Sequence, residues 1–247
     1  MGNESHLVIW LGPIAINGIV LLMTALTVAI VFGLIYWSSR EMKLKPTGKQ
    51  NVLEWVLDFT GNIVKGNLAE NEVKNFHLLS FTLFSFLLIA NNLGLVTKIA
   101  ITDGKSDLSL WQSPTADPVM TLTLALMVML MANFMGVKRF GFKGYVRNSF
   151  MKPMKPLFPM KILEEFTNLL TLGLRLYGNI FAGELLLGLL AGMVTSNGFR
   201  SFVFLPIALP LEVVWTGFSI FISCIQAYIF TVLMNVYMNH KIVLEAE

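Results

Sequence analysis

The stretch 161-KILEEFTNLLTLGLRLYGNIFAGELLLGLLAGMVT-195 decides the fold, because it is apolar, long enough to cross a bilayer and charged in its middle. A crossing needs about 20 residues at a rise of about 1.5 Å each. The central charge is Arg175. A charged side chain at the centre of a span costs about 2.5 kcal/mol or more, and such residues usually serve a function. The stretch therefore predicts a membrane helix with a functional site at Arg175.

Four polar side chains share one side of this helix with Arg175. At about 100° per residue, all four fall within about 40° of the arginine: Glu164, Asn168, Thr171 and Asn179. Gly178 and Ala182 flank this stripe, where small side chains let another helix approach. Glu184 points to the opposite side, so we expect it to face the interior of its own bundle. The alternative, a hydrogen-bonded helix seam with a snorkelling arginine, is disfavoured by the mid-helix position.

The composition indicates a polytopic membrane protein. Of 247 residues, 55% are hydrophobic and only 13% are charged, which is far from the balance of a soluble domain. The single cysteine, Cys224, rules out a disulfide framework, and the three histidines are too scattered for a metal site. The sequence also lacks a phosphate-binding loop and a nucleophile–base arrangement, so we expect no cofactor, no metal and no enzymatic activity of the chain alone.

The hydropathy pattern predicts an all-α fold of five to six membrane helices in one integral membrane domain, residues 1–247. The spans are expected at about 16–37, 76–96, 119–137, 162–195 and 206–238. Asp117 and Pro118 read as the N-cap and first residue of the third helix. Pro206 and Pro210 are expected to break the backbone before the last span. The last two spans should be antiparallel, longer than 25 residues and tilted, because such lengths exceed about 30 Å of hydrocarbon.

An amphipathic helix is predicted at about 49–65, on the cytoplasmic side. One side of it is apolar and the other polar: Val52, Trp55, Val56, Phe59 and Ile63 oppose Glu54, Asp58 and Asn62. Two placements stay open, flat on the membrane surface or packed on protein. Two roles are likewise open for Asn91 and Asn92, near the end of the second span, which could hydrate an aqueous funnel or cap the helix.

Cations lie mostly on one side of the predicted spans. The segment 138–161 holds seven Lys and Arg and no acidic residue, which is typical of a cytoplasmic loop. Counted over all loops, one side has at least twelve Lys and Arg, and the other has only Lys98, Lys105 and Arg200. We therefore expect the N-terminus outside and the C-terminus inside, with residues 239–247 as a polar tail. The positive-inside rule accounts for this charge without a nucleic-acid partner.

The last span carries a second polar seam. Glu212, Ser219 and Tyr237 fall within about 40° of Gln226 on the helical wheel. Together with polar residues of the stretch 161–195, they form an outer set and an inner set on the two sides of Arg175. The outer set is Asn179, Glu184, Glu212, Ser219 and Gln226; the inner set is Glu164, Glu165, Asn168, Thr171 and Tyr237. Because arginine stays protonated in proteins, it would block direct passage of protons between the sets. A carboxylate on a partner is expected to carry them.

Three stretches resemble one family, the membrane-embedded a subunit of bacterial F-type ATP synthases. They are SPTADPVMTLTLAL (113–126), LTLGLRLYGNIFAGELLLGLL (170–190) and IQAYIFTVLMNVYMNHK (225–241). The resemblance covers nearly the whole chain, and its LRLxGN and GE core is highly specific. It implies a stator subunit of the bacterial plasma membrane that passes protons through two offset half-channels to the buried carboxylates of a rotating c-subunit ring, with peripheral-stalk b subunits as further partners.

The resemblance also assigns residues. It maps the family's essential arginine onto Arg175, its asparagine onto Asn179, its outer carboxylate onto Glu184 and its last-helix glutamine onto Gln226. Many members have a histidine or acidic residue where this chain has Ser219, so Glu184, assisted by Glu212, is expected to be the main titratable group outside. The alternatives are a stand-alone secondary transporter, for which no internal repeat is visible, and a structural anchor, which would not need Arg175 and Glu184.

Overall fold

Six long helices form most of the structure. The computed structural model describes residues 8–11, 14–96, 100–102, 107–109, 113–150, 158–195 and 199–242. In these ranges the helices are α1 (Gly18–Ser39), α2 (Lys49–Asn67), α3 (Glu70–Val96), α4 (Pro118–Phe150), α5 (Phe158–Thr195) and α6 (Phe199–Ile242). Two short antiparallel hairpins accompany them, β1 (Val8–Leu11) with β2 (Ile14–Asn17) and β3 (Ala100–Thr102) with β4 (Asp107–Ser109). A 3-10 turn, Pro114–Ala116, precedes α4.

Four helices within the described ranges are long and apolar enough to cross a membrane. They are Gly18–Ser39, Glu70–Gly94, Pro118–Arg147 and Ala208–Ile242. The prediction of a helical, polytopic membrane protein is confirmed. The segment 162–195 is not one of the four, so its crossing of the bilayer stays a prediction. The expected length is confirmed for both final helices, since α5 has 38 residues and α6 has 44.

The start of α4 follows the predicted capping. Asp117 Oδ1 accepts hydrogen bonds from the backbone N–H groups of Val119 (2.7 Å) and Met120 (3.3 Å). Pro118 is the first helical residue, where its missing N–H leaves no donor unpaired. Two donors at the helix start are thereby satisfied by one carboxylate, as an N-cap requires.

The end of α4 differs from the prediction. The third span was expected to end near residue 137, but helical structure continues to Phe150 across a kink at Gly141, where φ is +70°. Only glycine adopts this conformation readily. After the kink, Tyr145 donates a hydrogen bond to Asn133 Oδ1. A Cβ at Gly136 would lie 2.7 Å from the Tyr145 ring. The cationic segment therefore begins as a helix that packs back on α4.

The two prolines near the start of α6 do not break it. The helix runs without interruption from Phe199 to Ile242 and contains both Pro206 and Pro210, so that prediction was wrong. A proline removes one backbone hydrogen bond, and transmembrane helices tolerate this because neighbouring groups can satisfy the freed carbonyl. The predicted tail is also shorter than expected, because α6 includes Lys241 and Ile242. Residues 243–247, Lys98 and Lys105 lie outside the described residues.

The helix predicted at 49–65 is present as α2, and its two halves differ. Trp55 stacks on Phe59 at 5.7 Å between ring centroids, and Phe59 contacts Phe84 at 5.4 Å and Tyr228 at 5.9 Å. The second half is therefore packed on protein. Val52 and Trp55, in the first half, stay 63% and 65% exposed. This apolar surface leaves room for lipid or for a partner at the start of α2.

The chain divides into two compact units, each made of three separate segments. Unit 1 comprises Met1–Gly33, Phe86–Met120 and Leu176–Ala227; unit 2 comprises Leu34–Ser85, Thr121–Arg175 and Tyr228–Glu247. In unit 2, α3 and α6 are joined by Ser80 and Asn235, which are both fully buried and hydrogen-bonded to each other. The single domain expected over residues 1–247 stays a prediction.

Candidate functional site

The two sides of α5 have opposite environments. Thr171, Arg175 and Gly178 are exposed at the surface of the chain. The other side of the helix is buried and mostly apolar: Leu172, Leu176, Ile180, Glu184 and Leu187. This agrees with the expected opposition of Arg175 and Glu184, which follows from a spacing of nine residues at about 100° each. An arginine presented at the surface of an apolar helix is available to a second protein.

Arg175 has no carboxylate as an ion-pair partner within the part of the chain that the structure describes. Tyr237, partly buried on α6, lies close enough to interact electrostatically with both Arg175 and Glu165. These three residues all belong to unit 2. Among the described residues, therefore, no acidic side chain forms an ion pair with the guanidinium of Arg175.

The space in front of Gly178 is open. A Cβ added there would meet no atom within 4 Å, whereas one at Gly173 would lie 2.8 Å from Leu122 Cδ2. Among the described residues, another helix of this chain therefore approaches α5 closely at Gly173, five residues before Gly178. Ala182, also expected to allow close approach, lines a cavity instead. Gly178 and Ala182 are both exposed, so the approach of a helix from another protein at these positions stays a prediction.

Glu184 is buried, with 9% of its surface exposed. Its Oε1 accepts a hydrogen bond of 2.9 Å from the backbone N–H of Ser113. Ser113 is the residue before the 3-10 turn and is itself fully buried. The carboxylate is thus held by a loop residue that the sequence did not single out. A backbone donor leaves no side-chain pattern, so no sequence signal could have identified it.

A cavity of about 90 Å³ lies beside the outer set in unit 1. Its walls include Asn179, Gly183, Trp215, Ser219 and Ser223. The Oγ atoms of Ser219 and Ser223 are buried without a hydrogen-bond partner within the described residues. One water needs about 10–15 Å³ by this kind of measure and two to four polar partners. The cavity therefore has the volume and the polar groups to hold several water molecules.

Further polar atoms in unit 1 are buried and have no partner within the described ranges. They are Asn91 Oδ1, Asn92 Oδ1 and Gln226 Nε2. The Asn91 amide donates to Ser223 O at 3.4 Å, and the Asn92 amide donates to Leu88 O at 2.7 Å. Because α3 continues to Val96, neither asparagine caps it. Buried polar atoms normally have a protein or water partner, so this result favours hydration over the capping role.

The inner set is arranged around an ion pair. Lys241 Nζ bonds Glu165 Oε1, and the side chains are only 11% and 25% exposed. The Lys241 ammonium also lies 5.7 Å from the centre of the Tyr145 ring. Glu164 is exposed and lies 3.6 Å from Lys161. Sequence reasoning missed Lys241, which it assigned to a polar tail. Its position four residues after Tyr237, on the same side of the helix, was the available signal.

Three predicted site residues take no part in a polar side-chain contact. In the described residues, no hydrogen bond or ion pair is formed by Glu212, Asn168 or Thr171. Glu212 and Asn168 are partly buried, and Thr171 is exposed. In the same residues, no group of three or more His, Cys, Asp or Glu is placed to hold a metal ion. The outer set is thus centred on Glu184 and the cavity, and the inner set on Glu165 and Lys241.

Fold and site together define a class, a polytopic membrane protein with buried ionisable groups and an arginine on its exposed surface. Comparison with known proteins makes this specific. The family model for the ATP synthase A chain matches residues 21–239. The chain is 57% identical over 240 residues to ATP synthase subunit a of Enterococcus faecalis, covering 97% of this chain and 98% of the relative. It is 55% identical over 243 residues to that of Enterococcus hirae, covering 98% and 99%.

A more distant relative gives the same result. ATP synthase subunit a of Anoxybacillus flavithermus is 48% identical over 243 residues, covering 98% of both chains. The chain belongs to the ATP synthase A chain family, the proton-translocating stator subunit of F-type ATP synthases. The resemblance expected from the sequence is confirmed, and the secondary transporter is not favoured. The chain is accordingly a subunit of a membrane complex.

Proposed function

We propose that this chain conducts protons through two separate half-channels and that Arg175 prevents direct passage between them. The outer half-channel is lined by Glu184 and by the polar walls of the cavity; the inner one is lined by Glu165 and Tyr237. The observation that carries the proposal is the placement of polar groups on α5. Glu184 is buried, and its neighbour Gly183 lines a cavity in which the Ser219 and Ser223 hydroxyls have no partner among the described residues. Arg175 is exposed and has no carboxylate partner in the same residues.

The proton carrier between the half-channels is a carboxylate on a partner subunit. Arg175 favours the ionised form of such a group, because an opposite charge within about 4–6 Å stabilises a carboxylate. It would release its proton near the arginine and take up another on the far side. The exposed position of Arg175 and the open space at Gly178 support this contact. The partner expected here is the ring of c subunits, with peripheral-stalk b subunits as further contacts.

The remaining predicted residues have supporting roles in this proposal. Asn179, Ser219 and Gln226 bind water on the outer path, and Glu212 lies toward its entrance. Glu164, Asn168 and Thr171 belong to the inner path. The chain provides the proton path and catalyses no reaction alone. It lies in the bacterial plasma membrane with the N-terminus outside and the C-terminus in the cytoplasm, as the excess of cations on one side indicates.

Thiol labelling of the assembled complex tests this proposal. In a background where Cys224 is replaced, cysteine at position 184 or 219 should react with a membrane-impermeant reagent added outside. Cysteine at position 164, 165 or 168 should react with reagent added inside. Phe221→Cys is a matched control on α6, because this residue is 59% exposed at the apolar surface of the chain; it should react from neither side. Labelling of both sets from the same side would indicate one continuous pore and contradict the proposal.

A further inference from the structure

Two residues of unit 1, Ser113 and Gly94, surround the carboxylate of Glu184. The backbone N–H of Ser113 donates a hydrogen bond to Glu184 Oε1 at 2.9 Å. Gly94, which is buried on α3, lies against both the carboxylate and the Ser113 amide. A Cβ at Gly94 would overlap both Glu184 Oε1 and the backbone nitrogen of Ser113. A residue without a side chain is therefore required for the carboxylate and the amide to meet.

The Ser113 amide is itself held in place. The Ser113 hydroxyl donates to the carbonyl of Ala90 at 2.6 Å and lies 2.8 Å from Thr115 Oγ1. The Ser113 carbonyl accepts a bond of 3.0 Å from Ala116 N–H, which closes the 3-10 turn. Ser113 and Thr115 are both fully buried. The side chain of Ser113 thus anchors the turn to α3, and the backbone N–H of the same residue faces Glu184.

We infer that Ser113 is a positioning residue for Glu184, holding its carboxylate through the backbone amide while its hydroxyl fixes the turn. Hydrogen bonds from N–H to an ionised carboxylate are stronger than those between neutral groups. The amide would therefore keep Glu184 in one orientation between successive protonations. This inference rests on the proposed role of Glu184 as a proton relay. It adds a loop residue, outside both polar seams, to the machinery of the outer half-channel.

Two substitutions of Ser113 separate the effect of its backbone N–H from the effect of its hydroxyl. Ser113→Ala removes the hydroxyl and keeps the N–H, whereas Ser113→Pro removes both. Ser113 has φ −62° and ψ 133°; proline requires φ near −65°, and this ψ suits a residue that precedes another proline. The proline variant therefore changes the donor without imposing a new backbone conformation at this residue. The proline ring also fills the space toward which the N–H points, so the difference in pump rate between the two variants measures the whole contact of the amide with Glu184.

The expected result is a slower pump for the proline variant. In the complete ATP synthase in inverted membrane vesicles, ATP-driven proton pumping by Ser113→Pro should be about tenfold slower than by Ser113→Ala, the size expected for one hydrogen bond to a charged group. Each pump rate is divided by the amount of assembled complex. Equal rates for the two variants would overturn the inference.

A double-mutant cycle excludes a merely structural role for the turn. With Glu184→Ala present, the proline and alanine variants should pump at the same reduced rate, because no carboxylate remains to be positioned. A proline defect that persists in that background would overturn the inference. The proposed function fails by a different result, namely wild-type pumping by Glu184→Ala alone. The two ideas are therefore tested separately.

Gly94 provides a second route if Ser113→Pro does not assemble. Gly94→Ala should slow pumping, because its Cβ occupies the space of Glu184 Oε1. Glu184→Asp should restore part of the rate in the Gly94→Ala background, since the shorter side chain withdraws the carboxylate. In the wild-type background the same aspartate should slow pumping. If Glu184→Asp slowed pumping equally in the wild-type and Gly94→Ala backgrounds, the inference would be overturned.

Discussion

Unit 1 and unit 2 satisfy their buried polar side chains in different ways. In unit 2 these groups are paired with each other: Ser80 with Asn235, Tyr145 with Asn133, and Glu165 with Lys241. In unit 1 several have no partner within the described residues. Among the described residues, six buried side-chain polar atoms have no hydrogen-bond partner; five belong to unit 1 and one, Glu165 Oε2, belongs to unit 2.

The difference separates polar groups that are paired within the protein from polar groups that need another partner, such as water. An unsatisfied buried polar group costs about 1–3 kcal/mol, so its retention requires a water partner or a function. Two of the unpartnered groups of unit 1, the hydroxyls of Ser219 and Ser223, line a cavity that can hold water. The paired groups of unit 2 join helices and fix their register. We therefore expect substitutions in unit 1 to change proton transfer and substitutions in unit 2 to change stability as well.

The largest effect is expected at Arg175, the last residue of the central segment of unit 2. Arg175→Ala should abolish ATP-driven proton pumping while the complex still assembles, because the fixed charge that separates the two half-channels is lost. Arg175→Lys should also fail, since an ammonium can lose its proton when desolvated and lacks the planar guanidinium. Pumping is measured in inverted vesicles against the amount of assembled complex. A wild-type rate in either variant would contradict the barrier role.

Sequence periodicity predicted the parts of this site that depend on a single helix. The opposition of Arg175 and Glu184 follows from their spacing, and the structure agrees, with Arg175 exposed and Glu184 buried. The cap at Asp117 was predicted because its bonds are local. Ser223 was missed although it lies four residues from Ser219 and one turn from Gln226, so the pattern could have included it.

Contacts between distant segments could not be predicted in this way. The bond from Ser113 to Glu184 joins residues 71 positions apart, and that from Lys241 to Glu165 joins residues 76 apart. Neither is encoded by a helical period. Lys241 resembles a solvated lysine near a chain end, and only the packing of α6 shows that its side chain is largely covered. The prediction that the prolines would break α6 was wrong for a related reason. The surroundings of the helix, which the sequence does not show, override the local preference of proline.

The next effect in size is expected at the Glu165–Lys241 pair. Lys241→Met should destabilise the complex by about 3 kcal/mol, the lower end of the range for breaking a buried ion pair, because Glu165 is left without its counter-charge. The double variant Lys241→Met with Glu165→Gln should recover most of this loss, since neither charge is then unpaired. Thermal inactivation of the purified complex gives the stabilities. A double variant less stable than Lys241→Met alone would contradict the pairing.

The smallest and most discriminating effect compares two buried serines. Ser80 in unit 2 is bonded to Asn235, whereas the Ser223 hydroxyl in unit 1 has no partner in the described residues. Ser80→Ala should lower stability by about 1–3 kcal/mol, because it removes the donor to Asn235 Oδ1. Ser223→Ala should leave stability nearly unchanged, because no protein hydrogen bond is lost.

The same two variants should rank in the opposite order for proton transfer. Ser223→Ala removes a polar wall of the cavity, so pumping per assembled complex should fall severalfold, consistent with the loss of one polar partner for water. Ser80 lies among paired groups. The pump rate of Ser80→Ala per assembled complex should therefore match that of the wild type at temperatures where the variant is folded. Both variants remove one oxygen from a buried serine and differ only in the unit. If both lost stability and neither lost pumping rate, the unpartnered hydroxyls of unit 1 would be structural, and the contrast between the units would not mark the proton path.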